Sequence, residues 1–356
     1  MRDAHRLSMF VLASALVCTG HVVQAQKPSS KKGPAPAPAA RTPAWPLPPQ
    51  DARVRFLASY HGVDDFKVKK PSRWKTALLG DDEEASKPSD TMIKPYGVTA
   101  SSNGRIYVTD TAARRVFVFD PDSKTAAFVG EQGGQRLSKP VGVAVEEDGT
   151  VFVADATANR VFAYAPDGTS TLAIGGDDAL KAPSGIAIDR TRHRLYVADS
   201  TRHDIVVYDT ANGARVRTLG ARGSEPGQFN FPTNLFVDRA GQLYVADTLN
   251  FRVQVFDAEG RFVRLFGTQG DTPGTFNRPK GVSVDSEGHV YVTDTSFGNF
   301  QIFDETGHLL LTVGAGGRNP GEFFLPAGMY IDERDRIYVA DQGNARVQVF
   351  QYLAAR

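Results

Sequence analysis

The sequence predicts an all-β fold, a six-bladed β-propeller whose blades are four-stranded antiparallel sheets. One unit recurs six times along the chain, and each copy holds short apolar stretches separated by turn residues. A repeat of roughly 45 residues with about four strands is typical of one propeller blade. The 34 glycines among 356 residues supply many turns, and the single cysteine excludes a disulfide framework.

Charge and hydropathy exclude other classes of protein. The 41 Lys and Arg residues balance 40 Asp and Glu residues for a net charge of +1, whereas a protein that follows nucleic-acid phosphates needs a basic surface. Hydrophobic residues make up 41% and charged residues 23%, which is a globular rather than a disordered composition. No apolar run reaches the roughly 18 residues that a membrane-spanning helix needs.

Residues 1–25 are predicted to be a signal peptide. Two arginines precede an apolar run over Met9–Val17, and a small residue, Ala25, ends the segment where a signal peptidase would cut. We therefore expect an exported protein, periplasmic or extracellular. Lipid attachment at Cys18 is the alternative, although the valine before it suits that processing poorly.

Residues 26–50 are rich in Pro, Ala and Lys and are predicted to form a linker. Pro and Ala at this density favour extended polyproline conformations and do not build a packed core. The lysines leave weak contact with an anionic envelope surface as an alternative role.

Residues 51–94 are predicted to close the ring and to cap it. Arg53–Ser59 resembles the fourth stretch of a blade, such as Arg261–Phe266, whereas the last copy ends after its third stretch. Pairing these two segments would complete the last blade and remove an exposed strand edge. Within Arg73–Gly80, the spacing of Trp and Leu before a glycine predicts a short helix that caps the ring or, alternatively, docks a partner.

Residues 95–356 contain the six repeats. After an anchor proline, each copy has an apolar stretch, a turn, a second apolar stretch that ends in Asp, a loop and a third stretch. Second stretches such as Leu243–Val245 suit strands buried on both faces, and third stretches such as Arg252–Phe256 alternate as half-buried strands do. The anchor prolines are Pro95, Pro140, Pro183, Pro232, Pro279 and Pro326.

The repeats resemble those of the NHL-repeat β-propellers, and the leader Trp45–Pro49 before Arg53–Leu57 resembles that of a group of exported bacterial propellers with six blades. The resemblance rests on Asn-x-Arg-Val at Asn250–Val253 and Asn344–Val347, and on connectors that carry Pro-Gly-x-Phe before an anchor proline. It implies that second-to-third loops and blade connectors share one face of the ring. Some related six-bladed propellers are metal-dependent lyases or hydrolases. Some intracellular NHL proteins recognise RNA, which conflicts with the predicted export and the neutral charge.

A metal site of the kind found in those enzymes needs about three ligands that converge near the ring axis. Only His61 and His203 are predicted near the loop face, so a zinc site of three histidines is not expected. Calcium accepts oxygen ligands alone and stays open, with Asn234 as a candidate close after an anchor proline. Glycines stand at the equivalent positions: Gly97, Gly142, Gly185, Gly281 and Gly328.

An Asp ends the second stretch of every copy. Because sites usually break the symmetry of a repeat fold, we expect each Asp to accept hydrogen bonds from amides of the loop that follows. An acidic ring that holds a cation in the channel is the alternative. The six residues are Asp110, Asp155, Asp199, Asp247, Asp294 and Asp341.

A repeated arginine follows these loops in four copies. A planar guanidinium group suits several oxygen acceptors at once, so the arginines are predicted to bridge neighbouring loops. Binding of an anion or a partner is the alternative. The arginines are Arg115, Arg160, Arg252 and Arg346.

Loops that depart from the repeat are predicted to form the binding surface. Exposed aromatic residues beside Arg and His are common anchors of a recognition surface. Lys280 follows an anchor proline and is predicted to point into the channel mouth. The candidate binding residues are Arg202, His203, Phe251, Lys280, Phe297, Asn299 and Phe300.

These patterns favour a non-catalytic protein. We predict a monomeric binding or scaffolding module that uses its connector-loop face to engage a protein, peptide or glycan of the cell envelope, without a cofactor. The alternative is a metal-assisted lyase or hydrolase that uses the central channel, in which case calcium is the candidate metal.

Overall fold

The computed structural model describes residues 42–66, 90–130, 136–176 and 179–354. They form six antiparallel sheets arranged as the blades of a propeller, which confirms the predicted fold class. The predicted signal peptide, most of the predicted linker and the predicted helix at residues 73–80 lie outside the described residues. In the described part of the chain, no helix is long and apolar enough to cross a membrane.

The strands of each blade pair in chain order, from an inner strand beside the ring axis to an outer strand. The N-terminal strands are β1 (Ala44–Trp45) and β2 (Val54–Tyr60). Blade 1 contains β3 (Pro95–Ala100), β4 (Ile106–Asp110), β5 (Arg115–Asp120) and β6 (Thr125–Val129). Blade 2 contains β7 (Pro140–Val145), β8 (Val151–Asp155), β9 (Arg160–Tyr164) and β10 (Ser170–Gly175). Blade 3 contains β11 (Pro183–Asp189), β12 (Arg194–Asp199), β13 (Asp204–Asp209) and β14 (Arg215–Leu219).

The second half of the ring repeats this arrangement. Blade 4 contains β15 (Pro232–Val237), β16 (Leu243–Asp247), β17 (Arg252–Phe256) and β18 (Phe262–Phe266). Blade 5 contains β19 (Pro279–Val284), β20 (Val290–Asp294), β21 (Asn299–Phe303) and β22 (Leu309–Val313). Blade 6 contains β23 (Pro326–Ile331), β24 (Arg336–Asp341) and β25 (Arg346–Tyr352). Short 3₁₀ turns cover Val63–Asp65, Thr248–Asn250 and Gln342–Asn344.

The middle strands are apolar because neighbouring blades cover both of their faces. Every residue of β16 is buried, whereas the outer strand β18 is mostly exposed. The hydrophobic clusters lie between blades, and one of them joins Val253 and Val255 of blade 4 to Val290 and Val292 of blade 5. Apolar burial between blades is therefore the main stabilising contribution to the ring.

Hydroxyl groups from the second strand, and from the loop that follows it, donate to the inner strand of the next blade. Thr109 Oγ1 donates to the carbonyl oxygen of Val141 at 2.7 Å, and Thr248 Oγ1 donates to that of Pro279 at 2.7 Å. The strands approach so closely here that a Cβ on Gly97 would run into the Val141 carbonyl oxygen. Glycine at the third position of the inner strand thus permits the inner strands to approach one another closely. We call this narrow part of the ring the waist.

The N-terminal strand closes the ring, as predicted. β2 pairs antiparallel with β25, from Val54 opposite Tyr352 to Tyr60 opposite Val347. Val54 is fully buried at this junction. The pairing supplies the fourth strand of blade 6 and removes the free edge of β25.

Two further contacts of the N-terminal segment were not predicted. Ala44–Trp45 falls within the predicted linker, yet it forms β1 on the outside of β2, and the Trp45 ring lies 5.9 Å from that of Phe350. After β2, the Phe66 ring stacks on Tyr60 at 5.4 Å and lies 5.9 Å from Phe119 of blade 1. The segment therefore holds the last blade against the first.

Candidate functional site

The ring has two faces of different construction. The second-to-third loops and the connectors between blades lie on one side, which we call the connector face. The first-to-second and third-to-fourth turns lie on the other side, which we call the hairpin face. This division follows from the antiparallel order of strands in every blade.

The repeated Asp residues lie fully buried beneath the connector face. Asp155 is representative: its Oδ1 accepts hydrogen bonds from the amides of Thr157 and Ala158 at 3.0 Å, and from Lys139 in the incoming connector at 3.0 Å. These carboxylates bind backbone amides of two segments at once. Such contacts favour the structural role over a ring that holds a cation.

Blades 4 and 6 extend this arrangement with side chains. Asp247 Oδ2 accepts hydrogen bonds from Arg252 Nε at 2.8 Å and from Gln254 Nε2 at 3.1 Å. The guanidinium group of Arg252 also donates to the carbonyl oxygens of Ser224 and Gln228 in the connector. The repeated arginine of this blade therefore bridges neighbouring loops and is not exposed for an anion.

Asp341 occupies the same position in blade 6. Burial raises the pKa of its carboxyl group, against the hydrogen bonds from Asn344, Phe324 and Arg346. The Arg346 Nε lies 2.7 Å from Asp341 Oδ2, and both side chains are almost fully buried. The pair is a buried ion pair that fixes the loop structure.

The predicted binding residues do not converge on one exposed surface. Arg202 Nε lies 3.4 Å from the carboxylate of Asp204, and His203 Nδ1 accepts a hydrogen bond from the amide of Phe231 at 3.0 Å. Phe251, Phe297 and Asn299 are half-buried.

Phe300 is not a surface residue, and the prediction that it is exposed is wrong. It is 0% exposed, and its ring lies 5.7 Å from that of Phe350 in blade 6. The reason is register: β21 begins at Asn299, so Phe300 is already inside the strand and faces the next blade. The sequence of the loop alone did not show where the strand begins.

Lys280 does point into the channel. Its Nζ lies 4.8 Å from the centre of the Tyr96 ring and 3.4 Å from the Tyr96 hydroxyl. The two residues belong to blades 5 and 1, so their contact crosses part of the channel near the connector face. The positive charge is stabilised by the aromatic face of Tyr96.

The connector face carries exposed apolar residues that the sequence analysis missed. Phe231 is 41% exposed and Leu325 is 39% exposed, and each directly precedes an anchor proline. Both have left-handed backbone conformations, with φ of 61° and 55°. Large side chains rarely adopt this conformation, so it marks local strain. The exposed large apolar residues of this face are Ile93, Phe231, Leu249, Phe324 and Leu325.

Cations accompany these apolar residues. No Asp or Glu stands in the six second-to-third loops or in the two positions before any anchor proline, all of which belong to the described residues. The exposed cations at those positions before the prolines are Lys94, Lys139, Lys181 and Arg278. The sequence could have pointed to this surface through the residue before each anchor proline. Its type differs between copies, whereas the proline itself recurs in all six.

The ring axis holds a cavity of about 460 Å³. Its lining extends from third-position residues of the inner strands, such as Gly97 and Gly142, to the first-to-second turns. The cavity therefore opens on the hairpin face, on the other side of the waist from Lys280. Behind the lining residue Asp238, burial raises the pKa of Tyr244 to about 12.

The histidines are distributed over separate turns. His289 Nδ1 lies 2.9 Å from Asp285 Oδ2, and His308 Nδ1 lies 2.7 Å from the hydroxyl of Thr306. Among the residues that the structure describes, no group of three or more His, Cys, Asp or Glu is arranged to hold a metal ion. Asn234, the candidate for calcium, lines the axial cavity with glycines at the equivalent positions of its neighbours.

Two solved structures share this fold. A streptogramin B lyase superposes with a TM-score of 0.55 at 14% identity, covering 75% of this chain and 95% of that chain. An auxiliary nutrient binding protein from Bacteroides thetaiotaomicron superposes with a TM-score of 0.59 at 14% identity, covering 74% of this chain and 70% of that one. An enzyme and a binding protein thus share the architecture, so the fold alone does not choose between the two functions.

Sequence comparison identifies the family. NHL repeat-containing protein 2 of Bos taurus is 38% identical over 95 residues, which are 24% of this chain and 13% of that protein. This chain therefore spans only a small part of that relative. A family model described as 6-bladed beta-propeller matches residues 284–353, and the model of the SMP-30/Gluconolactonase/LRE-like region matches residues 55–176 and 173–273, more than half of the chain. The chain belongs to the SMP-30/gluconolactonase/LRE-like six-bladed β-propellers, with repeats of the NHL type.

Proposed function

We propose that this protein is an exported, non-catalytic binding or scaffolding module that engages a protein partner through its connector face. The observation that carries the proposal is the set of exposed apolar side chains around the channel mouth on that face. The export signal predicted in residues 1–25 supports a partner in the cell envelope.

The apolar residues support a contact surface because they lie on one face of the ring. Among the described residues, none of the exposed large apolar side chains lies in the turns of the hairpin face, whereas five lie on the connector face. Grouped apolar residues on a soluble surface mark sites of interaction, whereas scattered ones need no explanation. The left-handed backbones of Phe231 and Leu325 hold two of these side chains outward at a cost to stability.

The charge of the same surface indicates the chemistry of the partner. Lys94, Lys139, Lys181 and Arg278 stand within two residues of an anchor proline, and no carboxylate occupies those positions, although the connectors carry the exposed Glu225 and Asp271. A matching surface presents Asp or Glu around apolar side chains. We therefore infer that the partner contributes an acidic and apolar segment of protein.

A capture experiment tests the proposal. The chain is used as bait in crosslinked envelope extract, beside the double variant Phe231→Asn and Leu325→Asn, since asparagine accepts the left-handed conformation at both positions. We expect the wild type to capture a partner, the variant to lose it, and capture to weaken as salt screens the charges.

The matched control is Leu310→Asn. Leu310 is an exposed leucine on the outer strand β22, away from the connector face. It should capture the partner as the wild type does. Equal capture by wild type and the double variant would contradict the proposal and favour the alternative, a lyase or hydrolase that uses the channel.

A further inference from the structure

The axial cavity is a second surface with its own chemistry, on the opposite side of the ring from the proposed partner surface. Its volume of about 460 Å³ lies within the range of small-molecule sites, which is about 300–1,000 Å³. Its lining includes the fifth-position residues Ala144, Ala187, Phe236 and Tyr330 of the inner strands. An organic molecule of modest size therefore fits between the inner strands.

The residues that break the sixfold repeat are concentrated on one side of this cavity. The fifth residue of the inner strand is small in four blades and aromatic in blades 4 and 6. The rings of Phe236 and Tyr330 approach each other to 6.0 Å between centroids, with both residues in the lining. The small residues at the equivalent positions are Thr99, Ala144, Ala187 and Ser283. The aromatic pair thus faces space that the other blades leave open.

Blade 4 carries a second departure. Asn234 replaces the third-position glycine, and its side-chain Oδ1 is buried without a hydrogen-bond partner. Asn234 and Phe236 are two residues apart in β15, where the strand pairs regularly with β16, so both project from the same face. A buried acceptor without a donor is costly, and a ligand with an N–H group would satisfy it.

The charged residues of the lining determine which sign of ligand charge the cavity attracts. The lining holds seven carboxylates and two guanidinium groups. Both arginines are engaged already, because Arg190 Nη1 lies 3.5 Å from the carboxylate of Glu333 and Arg239 donates to the Glu333 carbonyl oxygen at 3.0 Å. The carboxylates are Glu147, Asp189, Asp238, Asp285, Asp332, Glu333 and Asp335. A mouth with this excess of negative charge attracts cations.

The turn carboxylates of the lining also stabilise the turns that carry them. Asp238 Oδ1 accepts hydrogen bonds from the amides of Ala240 and Gln242, and Asp332 Oδ2 accepts one from the hydroxyl of Tyr338. Asp332 also accepts from Arg336 Nε at 2.7 Å, and Asp189 accepts from Arg192 Nη1 at 3.0 Å, so the negative charge of the mouth rests mainly on the other carboxylates. The ion pair between Arg190 and Glu333 spans the mouth, and Glu333 is 62% exposed in it. Such an exposed ion pair is weak and can open.

We propose that this cavity binds a small organic ammonium ion whose apolar part packs against Phe236 and Tyr330 and whose N–H group donates to Asn234. The aromatic rings contribute a cation–π attraction as well as apolar contact. The carboxylates at the mouth raise the local concentration of such cations. The inference is independent of the proposed function, because it uses the opposite face of the ring.

Isothermal titration calorimetry with matched probes tests this inference. The probes are phenethylammonium and hexylammonium chloride, with phenylethanol and phenylpropanoate as neutral and anionic counterparts of similar shape. We expect the ammonium ions to bind about tenfold more tightly than the alcohol, which is the size of one hydrogen bond to a charged donor, and the carboxylate to bind least. Equal binding of cation and alcohol, or no binding of either ammonium ion, would overturn the inference.

Three variants separate the contributions. Asn234→Gly restores the residue that the other blades have, so the fold should be retained. This variant should lower the affinity for phenethylammonium about tenfold. Glu147→Gln at the cavity mouth should weaken it by a smaller factor that high salt removes. Glu305→Gln, an exposed carboxylate of an outer turn on the same face, is the control and should have no effect. Unchanged affinity in Asn234→Gly would contradict the assigned role of the amide.

Discussion

The connector face and the hairpin face are built from the same repeat and differ in what the repeat leaves exposed. Beneath the connector face, the repeated Asp residues are buried and neutral or cationic donors surround them. At the positions just before the anchor prolines, the exposed side chains are mainly apolar or basic. On the hairpin face, the turn carboxylates remain beside an axial cavity. The comparison teaches that repeated residues stabilise the ring, while positions that vary between copies give each face its chemistry.

The largest expected effect tests the structural role of the buried Asp residues. Asp341→Asn would leave the buried guanidinium group of Arg346 without its carboxylate, and breaking a buried ion pair costs about 3–5 kcal/mol. Asp304→Asn on the hairpin face is the matched change, since Asp304 lies in an outer turn. Chemical denaturation should show a large loss in the free energy of unfolding for Asp341→Asn and a much smaller loss for Asp304→Asn. Equal losses would contradict the contrast between the two faces.

A change of the opposite sign is expected at the strained residue of the connector face. Phe231→Asn should stabilise the fold by up to about 1 kcal/mol, because asparagine tolerates the left-handed conformation that phenylalanine resists. Leu249→Asn, an exposed apolar residue nearby without a positive φ, should give no such gain. Thermal unfolding of both variants measures the difference. A loss of stability in Phe231→Asn would show that the side chain is held outward by favourable contacts rather than against strain.

The smallest expected effect is the pH dependence of the stability that Asp304 contributes in an outer turn. The Thr306 hydroxyl and the His308 amide lower the pKa of Asp304 from 3.8 to about 2. A lowered pKa stabilises the fold above the unfolded value, so this contribution should be lost as pH falls from 3.8 towards about 2. Burial shifts the pKa of Asp341 upwards, so acidification acts in the opposite direction there. The melting temperatures of wild type and Asp304→Asn should therefore converge at low pH, and a constant difference would exclude this linkage.

Predicting the candidate site from the sequence succeeded where the information was local. Lys280 was placed in the channel because it follows an anchor proline, and the loop amides were expected to surround the repeated Asp residues. The aromatic candidates in the loops were less well placed. Phe300 lies one residue inside β21 and is buried, while Phe231, which was not considered, is exposed. A shift of one residue in a strand moves a side chain from one face to the other, so loop composition alone does not decide exposure.

The sequence by itself determined the number of blades, the order of strands and the closure of the ring. Its repeat length, its turn residues and the missing fourth stretch of the last copy are local features that each specify one element. Only the tertiary structure decided the two surfaces. The contact of Lys280 with Tyr96 and that of Arg190 with Glu333 join distant blades, and the orphaned acceptor of Asn234 depends on which neighbours surround it. Such features arise from the packing of blades around a common axis, and no single repeat contains them.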